Sequence, residues 1–191
     1  MIRKPQNKKA VVGQNGNSGR GTPIKVPKPI YQLPSEGVHI ARCVGVADIG
    51  TQRSSFGDGK KQPKVILIFE LPNELAVFVE ERGEEPFHQS IIYTNSLGER
   101  SNLYRDIVAW QGKGAIERMR DDLGLLVGEP CMLNLIHETT KKGTTRSKVI
   151  GIAPLSKGMK APAQISLSLQ YSITDGVAGG VYDKLPGGSR N

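Results

Sequence analysis

The chain has 191 residues, a formal net charge of +8 and 37% hydrophobic residues. This length suits one domain of ordinary size with terminal extensions. The basic balance favours an acidic partner, with nucleic acid first and a membrane surface second. Two cysteines are too few for a disulfide framework, so a reducing compartment is the default.

Most of the positive charge lies in the first 34 residues. They contain seven basic residues and no acidic one, and the remaining residues carry only +1 of the total of +8. The seven are Arg3, Lys4, Lys8, Lys9, Arg20, Lys25 and Lys28. A segment rich in Gly, Pro, Asn and Lys predicts a flexible basic arm over residues 1–34, which orders only against a partner. It either neutralises phosphates or solubilises the protein.

No apolar segment follows the first basic residues, and the longest apolar runs, 65–69 and 75–79, are far too short to cross a bilayer. We therefore expect a soluble, cytoplasmic protein that has no membrane partner. If the protein is encoded by a phage, the compartment is the cytoplasm of the host cell.

Five segments have the pattern of strands. Residues 38–49 alternate as a half-buried strand does, with Arg42 as the one interruption. Residues 64–71, KVILIFEL, are apolar on both faces, so one face fills the core and the other needs a cover, a partner chain or a ligand. Residues 89–94, 131–137 and 148–154 predict the third, fourth and fifth strands.

The connection between the third and fourth strands predicts two short helices. Ser96 and Glu99 have the spacing of a capping box, and Leu103, Ile107 and Trp110 form an apolar face after it. A second apolar stripe follows at Ile116, Met119, Leu123 and Val127. Three strands, a helical connection and two strands are the order of an OB-type five-stranded barrel, here over residues 35–158. Residues 159–191 predict an extension with one added strand near 165–171 and then a loose tail.

Cations are concentrated in the two loops that flank the ligand groove of an OB barrel. Loop 50–63 and the residue after it carry Arg53, Lys60, Lys61 and Lys64, and loop 138–147 and the residue after it carry Lys141, Lys142, Arg146 and Lys148. A groove for single strands needs cations along the backbone path and aromatic faces on which bases stack. We predict Phe56 and Tyr93 as stacking residues, whereas Trp110 belongs to the apolar helix stripe and hence to the core.

Residues 72–86 oppose this pattern, since they carry five glutamates and one arginine. If the protein binds nucleic acid, this segment lies away from the path or acts as a gate. The simpler interpretation is a solvated acidic hairpin that folds back at Arg82 and Gly83.

No residue pattern predicts a catalytic centre, a metal site or a cofactor. His39 and Cys43 lie about 13 Å apart along an extended strand, and Cys131 and His137 about 20 Å, so neither pair can bind one zinc ion. A phosphate-binding P-loop and a nucleophile elbow are both missing from the sequence. We therefore expect a protein that is not an enzyme.

The strings HIARCVGVADI, VILIFEL, IIYTNSLGERSNLYRDIVAWQGKG, LLVGEPCMLNLIHE and KVIGIAPLSKG resemble a group of small phage- and prophage-encoded proteins, considered OB-fold single-stranded DNA-binding or replication-associated proteins. The resemblance covers about residues 35–158. It implies that the protein coats single-stranded DNA during replication or recombination, with replication or recombination proteins as further partners. The implied DNA contacts are Arg53, Phe56, Lys60, Lys61, Lys141, Lys142 and Arg146. This chain ends GGSRN, whereas cellular single-strand binding proteins typically end in an acidic tip that recruits partners.

The sequence thus favours a module that binds single-stranded DNA through a basic groove between loops 50–63 and 138–148. The alternative is a structural or assembly protein, in a virion or as a replisome accessory, whose barrel binds proteins and whose second strand is an oligomer interface. An accessory subunit of a nuclease or recombinase shares the same fold. The oligomeric state and the choice between DNA and RNA stay open.

Overall fold

The computed structural model of the chain describes residues 32–53 and 59–173. Three long strands precede a small helical connection, two more follow it, and a short sixth strand comes last. The strands are β1 (Gly37–Arg53), β2 (Lys61–Val79), β3 (Gly83–Thr94), β4 (Pro130–Thr139), β5 (Thr145–Ala153) and β6 (Leu169–Ser172), and the helices are α1 (Asn102–Gln111) and α2 (Ile116–Asp121). Turns of 3₁₀ helix lie at Glu80–Arg82, Lys113–Ala115 and Leu123–Leu126.

The first five strands form one curled antiparallel sheet, a half-barrel with the order β3-β2-β1-β4-β5. β6 pairs in parallel with β1 at Gly45–Asp48. The predicted order of three strands, a helical connection and two strands is confirmed. Because β1 pairs with β4 over its first part and with β2 over its second, one long strand holds both halves of the sheet together.

β1 and β2 are longer than predicted, and the loop between them is shorter. β1 continues to Arg53 and β2 begins at Lys61, so most of the predicted loop 50–63 that the structure describes is strand. Pairing explains the difference, because Thr51, Gln52 and Arg53 match residues of β2 after an irregularity that follows Asp48. β2 also runs past Leu71 to Val79 and pairs with the beginning of β3. The predicted acidic hairpin therefore exists as an ordered extension of two strands.

The core lies between the inner face of the sheet and α1. Leu103, Ile107 and Trp110 are buried, as the helical spacing predicts. The Trp110 ring lies 5.8 Å from that of Phe69, centroid to centroid, and its Nε1 donates to the Pro130 carbonyl at 2.8 Å. Burial of each large apolar side chain contributes about 1.5–3 kcal/mol, so α1 covers the sheet with a strong apolar contact.

The helical connection departs from the prediction at both ends. α1 is capped by Ser101, whose side chain accepts from the Tyr104 N–H, and not by Ser96 with Glu99. Gly112, at φ +80°, ends α1 because a positive φ costs glycine little. The second apolar stripe is split, since α2 stops at Asp121 and a 3₁₀ turn continues from Leu123.

None of the helices within residues 32–53 and 59–173 is long and apolar enough to span a membrane. Pro34, near the beginning of the described residues, is fully buried, and its carbonyl lies 2.9 Å from His137 Nε2. Pro34 therefore packs with the sheet although it lies one residue before the predicted boundary at residue 35.

Candidate nucleic-acid interface

The β1–β2 hairpin carries the first group of predicted contacts. Arg53 and Lys61 form the last register pair of the hairpin, and both are exposed. Lys60 is exposed as well, and Phe56 lies outside the described residues. Since side chains alternate along a strand, Lys61 projects from the face that continues into the core, whereas Lys64 projects from the outer face. The hairpin thus divides its cations between two faces.

Lys64 lies on the outer face of β2, where its two hydrogen-bond acceptors do not offset its positive charge. Its Nζ donates to Gln62 Oε1 at 3.0 Å and to Thr94 Oγ1 at 2.8 Å, and both acceptors are neutral. Beside it lies the register pair Ile66 and Ile92, and Ile92 is 61% exposed. A cation next to an exposed apolar surface offers charge for a phosphate and a contact area for bases.

The β4–β5 turn carries the second group. Lys141 and Lys142 are exposed in the turn. Arg146 Nη2 lies 2.9 Å from Glu138 Oε2, and Lys148 Nζ lies 3.1 Å from Oε1 of the same carboxylate. The hydrogen bonds from Arg146 and then from Lys148 lower the pKa of the Glu138 carboxyl. Glu138 offsets one of these two cations, so the turn and the strand after it keep a net positive charge.

Tyr93 is buried, which corrects its predicted role as a stacking residue. Only 4% of its surface is exposed, and its Oη donates to Asp106 Oδ2 at 2.7 Å. Burial, followed by the hydrogen bond to Asp106, raises the pKa of the Tyr93 hydroxyl. Its register partner Val65 belongs to the core, so β3 turns the ring inward. Tyr93 joins β3 to α1 and presents no face to a base.

The outer face of β1, β2 and β3 is partly covered by residues 159–173, which we call the C-terminal strap. Glu70 is the one charged side chain that is fully buried among the described residues. Its Oε1 accepts the Ile165 N–H at 3.0 Å, and its Oε2 accepts the Ser166 N–H at 2.7 Å. A buried carboxylate is stable only when hydrogen bonds replace its lost hydration. The strap supplies these bonds.

Two side chains flank Glu70 in the same register row, Arg42 on β1 and His88 on β3. Arg42 Nη2 donates to the Pro162 carbonyl at 2.8 Å, and Nη1 donates to the Gly128 carbonyl at 2.5 Å. His88 Nε2 lies 2.8 Å from Ser166 Oγ. Desolvation beside the strap lowers the pKa of the His88 imidazole, against the opposite effects of Glu70 and Glu85, although part of the residue remains open to solvent.

The two basic groups lie at opposite ends of β1. Arg53 pairs with Lys61 at one end, and Gly37 pairs at the other end with Leu135 of β4, the strand that continues to the β4–β5 turn. The row that contains Glu70 lies between these ends, and the strap crosses the outer face there. A single strand that reaches both groups over this face must therefore pass across the strap.

The sequence interpretation missed this row of anchoring side chains. Arg42 reads as an interruption of an alternating strand, and Glu70 as a residue near the end of an apolar run. The signal in the sequence that could have revealed Arg42 and Glu70 is their place in the alternation of inner and outer positions along each strand. Both residues occupy outer positions, and the outer face of the second strand was already predicted to need a cover.

A cleft of about 630 Å³ lies between β1, α2 and β6. Asp48, Asp121 and Asp122 line it together with Arg120, so its charge disfavours a phosphate. Asp122 Oδ1 accepts from the Gly124 N–H at 2.7 Å and from Gln170 Nε2 at 3.2 Å, which gives this carboxylate a structural part in holding β6.

Within residues 32–53 and 59–173, no group of three or more His, Cys, Asp or Glu side chains is arranged to hold a metal ion. Burial raises the pKa of the Cys43 thiol to about 12, and it also raises that of Cys131. The imidazoles of His39 and His137 instead lie 2.9 Å from the carbonyls of Ser35 and Pro34.

Comparisons of the chain with models of protein families, with curated proteins and with solved structures found no match.

Proposed function

We propose that the chain is an OB-type module that binds single-stranded DNA, in phage replication or recombination. The observation that carries this proposal is the outer face of β2 and β3, where Lys64 lies beside the half-buried Ile66 and its exposed register partner Ile92. In an OB barrel, oligonucleotides bind to the face of the second and third strands between two flanking loops. The sheet order supports this comparison, because the helical connection joins the third strand to the fourth.

The strand of DNA enters this face at the β1–β2 hairpin. Lys64 neutralises a phosphate, and Ile66 and Ile92 contact the bases beside it. Phe56, which lies between β1 and β2 in the sequence and outside the described residues, stays a predicted stacking residue. Stacking of this kind is worth about 1–3 kcal/mol per base. Beyond the strap, Lys141 and Lys142 offer a second pair of cations to the backbone. The side chain of Leu167, which is 85% exposed, lies in the strap between the two groups.

A protein-interaction or assembly module is the second candidate. It is favoured by the end of the β2–β3 hairpin, where Leu75, Val77, Phe78 and Val79 are exposed. Contiguous exposed apolar surface is typical of a protein interface. This candidate requires no nucleic acid, and its binding to a protein partner does not depend on the charge of Lys64.

The test is the fluorescence anisotropy of a labelled single-stranded oligonucleotide at several salt concentrations. We expect Lys64→Glu, and separately the double variant Lys141→Glu/Lys142→Glu, to weaken binding about tenfold or more. Each variant should also show a shallower salt dependence, because binding with fewer phosphate contacts releases fewer counterions from the DNA. Lys113→Glu is the matched control, since Lys113 is exposed in the helical connection and makes the same change of charge. Equal affinities for the Lys64 variant, the control and the natural chain would contradict the proposed site. Absence of any binding would favour the interaction module.

A further inference from the structure

The end of the β2–β3 hairpin, residues 74–86, is both apolar and acidic, and we call it the acidic hairpin. Leu75, Val77, Phe78 and Val79 are between 37% and 45% exposed. The surface is ordered, because the Phe78 ring lies 5.1 Å from that of Phe87, edge to face, and Phe87 is buried. Exposure of apolar side chains to water is unfavourable, so a partner that covers this part of the hairpin would be stabilised by burying them.

The charge of the acidic hairpin restricts what can cover it. Its five glutamates outnumber its one arginine, and Arg82 already lies 3.3 Å from Glu85. Two acidic hairpins placed against each other would bring like charges together, which disfavours a symmetric contact between two copies. The fitting surface is therefore apolar and basic.

The same chain has such a surface on the outer side of β4 and β5, which we call the basic face. Val38, Ile136 and Ile150 are 59%, 37% and 52% exposed. Register pairs Val38 with Asn134 and Ile136 with Lys148, so Val38 and Ile136 share the outer side of the sheet, while Ile150 lies at the register irregularity of β5. The cations on and beside it are Lys141, Lys142, Arg146 and Lys148, with Glu138 as the carboxylate between two of them.

We propose that the acidic hairpin of one copy docks on the basic face of a second copy. The apolar side chains of the two surfaces cover each other, and the glutamates meet the lysines of the β4–β5 turn. Because the two surfaces differ, the contact is heterologous: each copy keeps one free acidic hairpin and one free basic face, and copies add head to tail. This contact needs no nucleic acid, so it goes beyond the proposed function and is tested apart from it.

The test uses two variants, each with two charge-reversing substitutions, and their mixture, studied by sedimentation velocity without nucleic acid. One variant is Glu81→Lys/Glu84→Lys in the acidic hairpin, and the other is Lys141→Glu/Lys142→Glu in the basic face. All four positions are exposed, which leaves the core intact. The natural chain should show a mass that rises with concentration and falls with salt. Each variant alone should associate at least about tenfold more weakly. The first variant has a hairpin with no net charge opposite the basic face, and the second has an acidic face opposite its acidic hairpin.

The mixture of the two variants is the decisive measurement. The first variant carries cations at positions 81, 82 and 84, which can meet the carboxylates that the second variant carries at positions 141 and 142. The unchanged hairpin of the second variant fits the unchanged face of the first, so association should return to the level of the natural chain. Glu117→Lys, on the exposed side of α2, is the matched control and should associate like the natural chain. A monomeric natural chain, a variant that associates normally, or a mixture that fails to recover association would overturn the proposal.

Discussion

Glu70 occupies a position on β2 whose neighbours in sequence, Phe69 and Leu71, are fully buried. The carboxylate is accommodated there because two successive amides of the strap donate to it. Removal of one partner from a buried hydrogen-bonded group leaves the other partners unsatisfied, which costs more than the bonds themselves contribute. Glu70 therefore couples the strap to the sheet.

We expect Glu70→Ala to lower the free energy of unfolding by about 2–4 kcal/mol, since two part-buried N–H groups of the strap lose their acceptor. Hydrogen exchange should show the local cause, because the amides of Ile165 and Ser166 lose protection in this variant. Glu84→Ala is the control. It removes an exposed carboxylate from β3 and should change the free energy of unfolding by less than about 0.5 kcal/mol. Unchanged protection in Glu70→Ala would contradict the role assigned to the strap.

The buried residues also show how far side-chain type predicts a site. Trp110 is in the core, as its helical spacing predicts. Tyr93 has the residue type of a stacking surface, but its strand phase places it inside. Phase along a strand outweighs residue type, because a register pair fixes which face a side chain occupies.

At the scale of the element, the beginning of α1 distinguishes two serines that sequence alone treats alike. Ser101 Oγ accepts the Tyr104 N–H at 3.1 Å and donates to the Ser96 carbonyl at 2.6 Å. Ser96 Oγ instead accepts the Gly98 N–H at 3.3 Å, before the helix begins. The predicted capping box starts five residues too early.

We expect Ser101→Ala to lower the free energy of unfolding by about 1 kcal/mol, because the first turn of α1 loses its N-cap. Ser96→Ala and Glu99→Gln should each have a much smaller effect. Chemical denaturation of the three variants measures the difference. Greater destabilisation by Glu99→Gln than by Ser101→Ala would instead support a capping box formed by Ser96 and Glu99.

At the scale of the whole molecule, charge is divided along the chain more sharply than the total of +8 indicates. The first 31 residues hold seven cations, while the described sheet carries both an acidic hairpin and a basic face. In the proposed function, binding through the predicted arm would respond to salt with little preference for shape, whereas binding by the sheet would depend on Lys64 and the surface beside it.

We expect a chain that starts at Gln32, and so keeps the buried Pro34, to bind single-stranded DNA more weakly at low salt but still in preference to duplex. If all seven cations contact phosphates, their loss reduces the slope of log affinity against log salt by up to about 5. Anisotropy titrations of both chains over a range of salt measure this. Loss of all binding with the arm would show that the sheet is not the site.

The sequence by itself determined the order of strands and helices, the apolar face of α1 and the charge of each turn. These depend on periodicity and composition, which act over a few neighbouring residues. The tertiary structure alone decided the length of β1 and β2, the burial of Tyr93 and the partners of Arg42 and Glu70. Each of these depends on a residue far away in sequence: Glu70 and Ser166 are 96 positions apart. A local sequence pattern holds no information about such a partner, because the packing of distant segments against the sheet decides which residues meet.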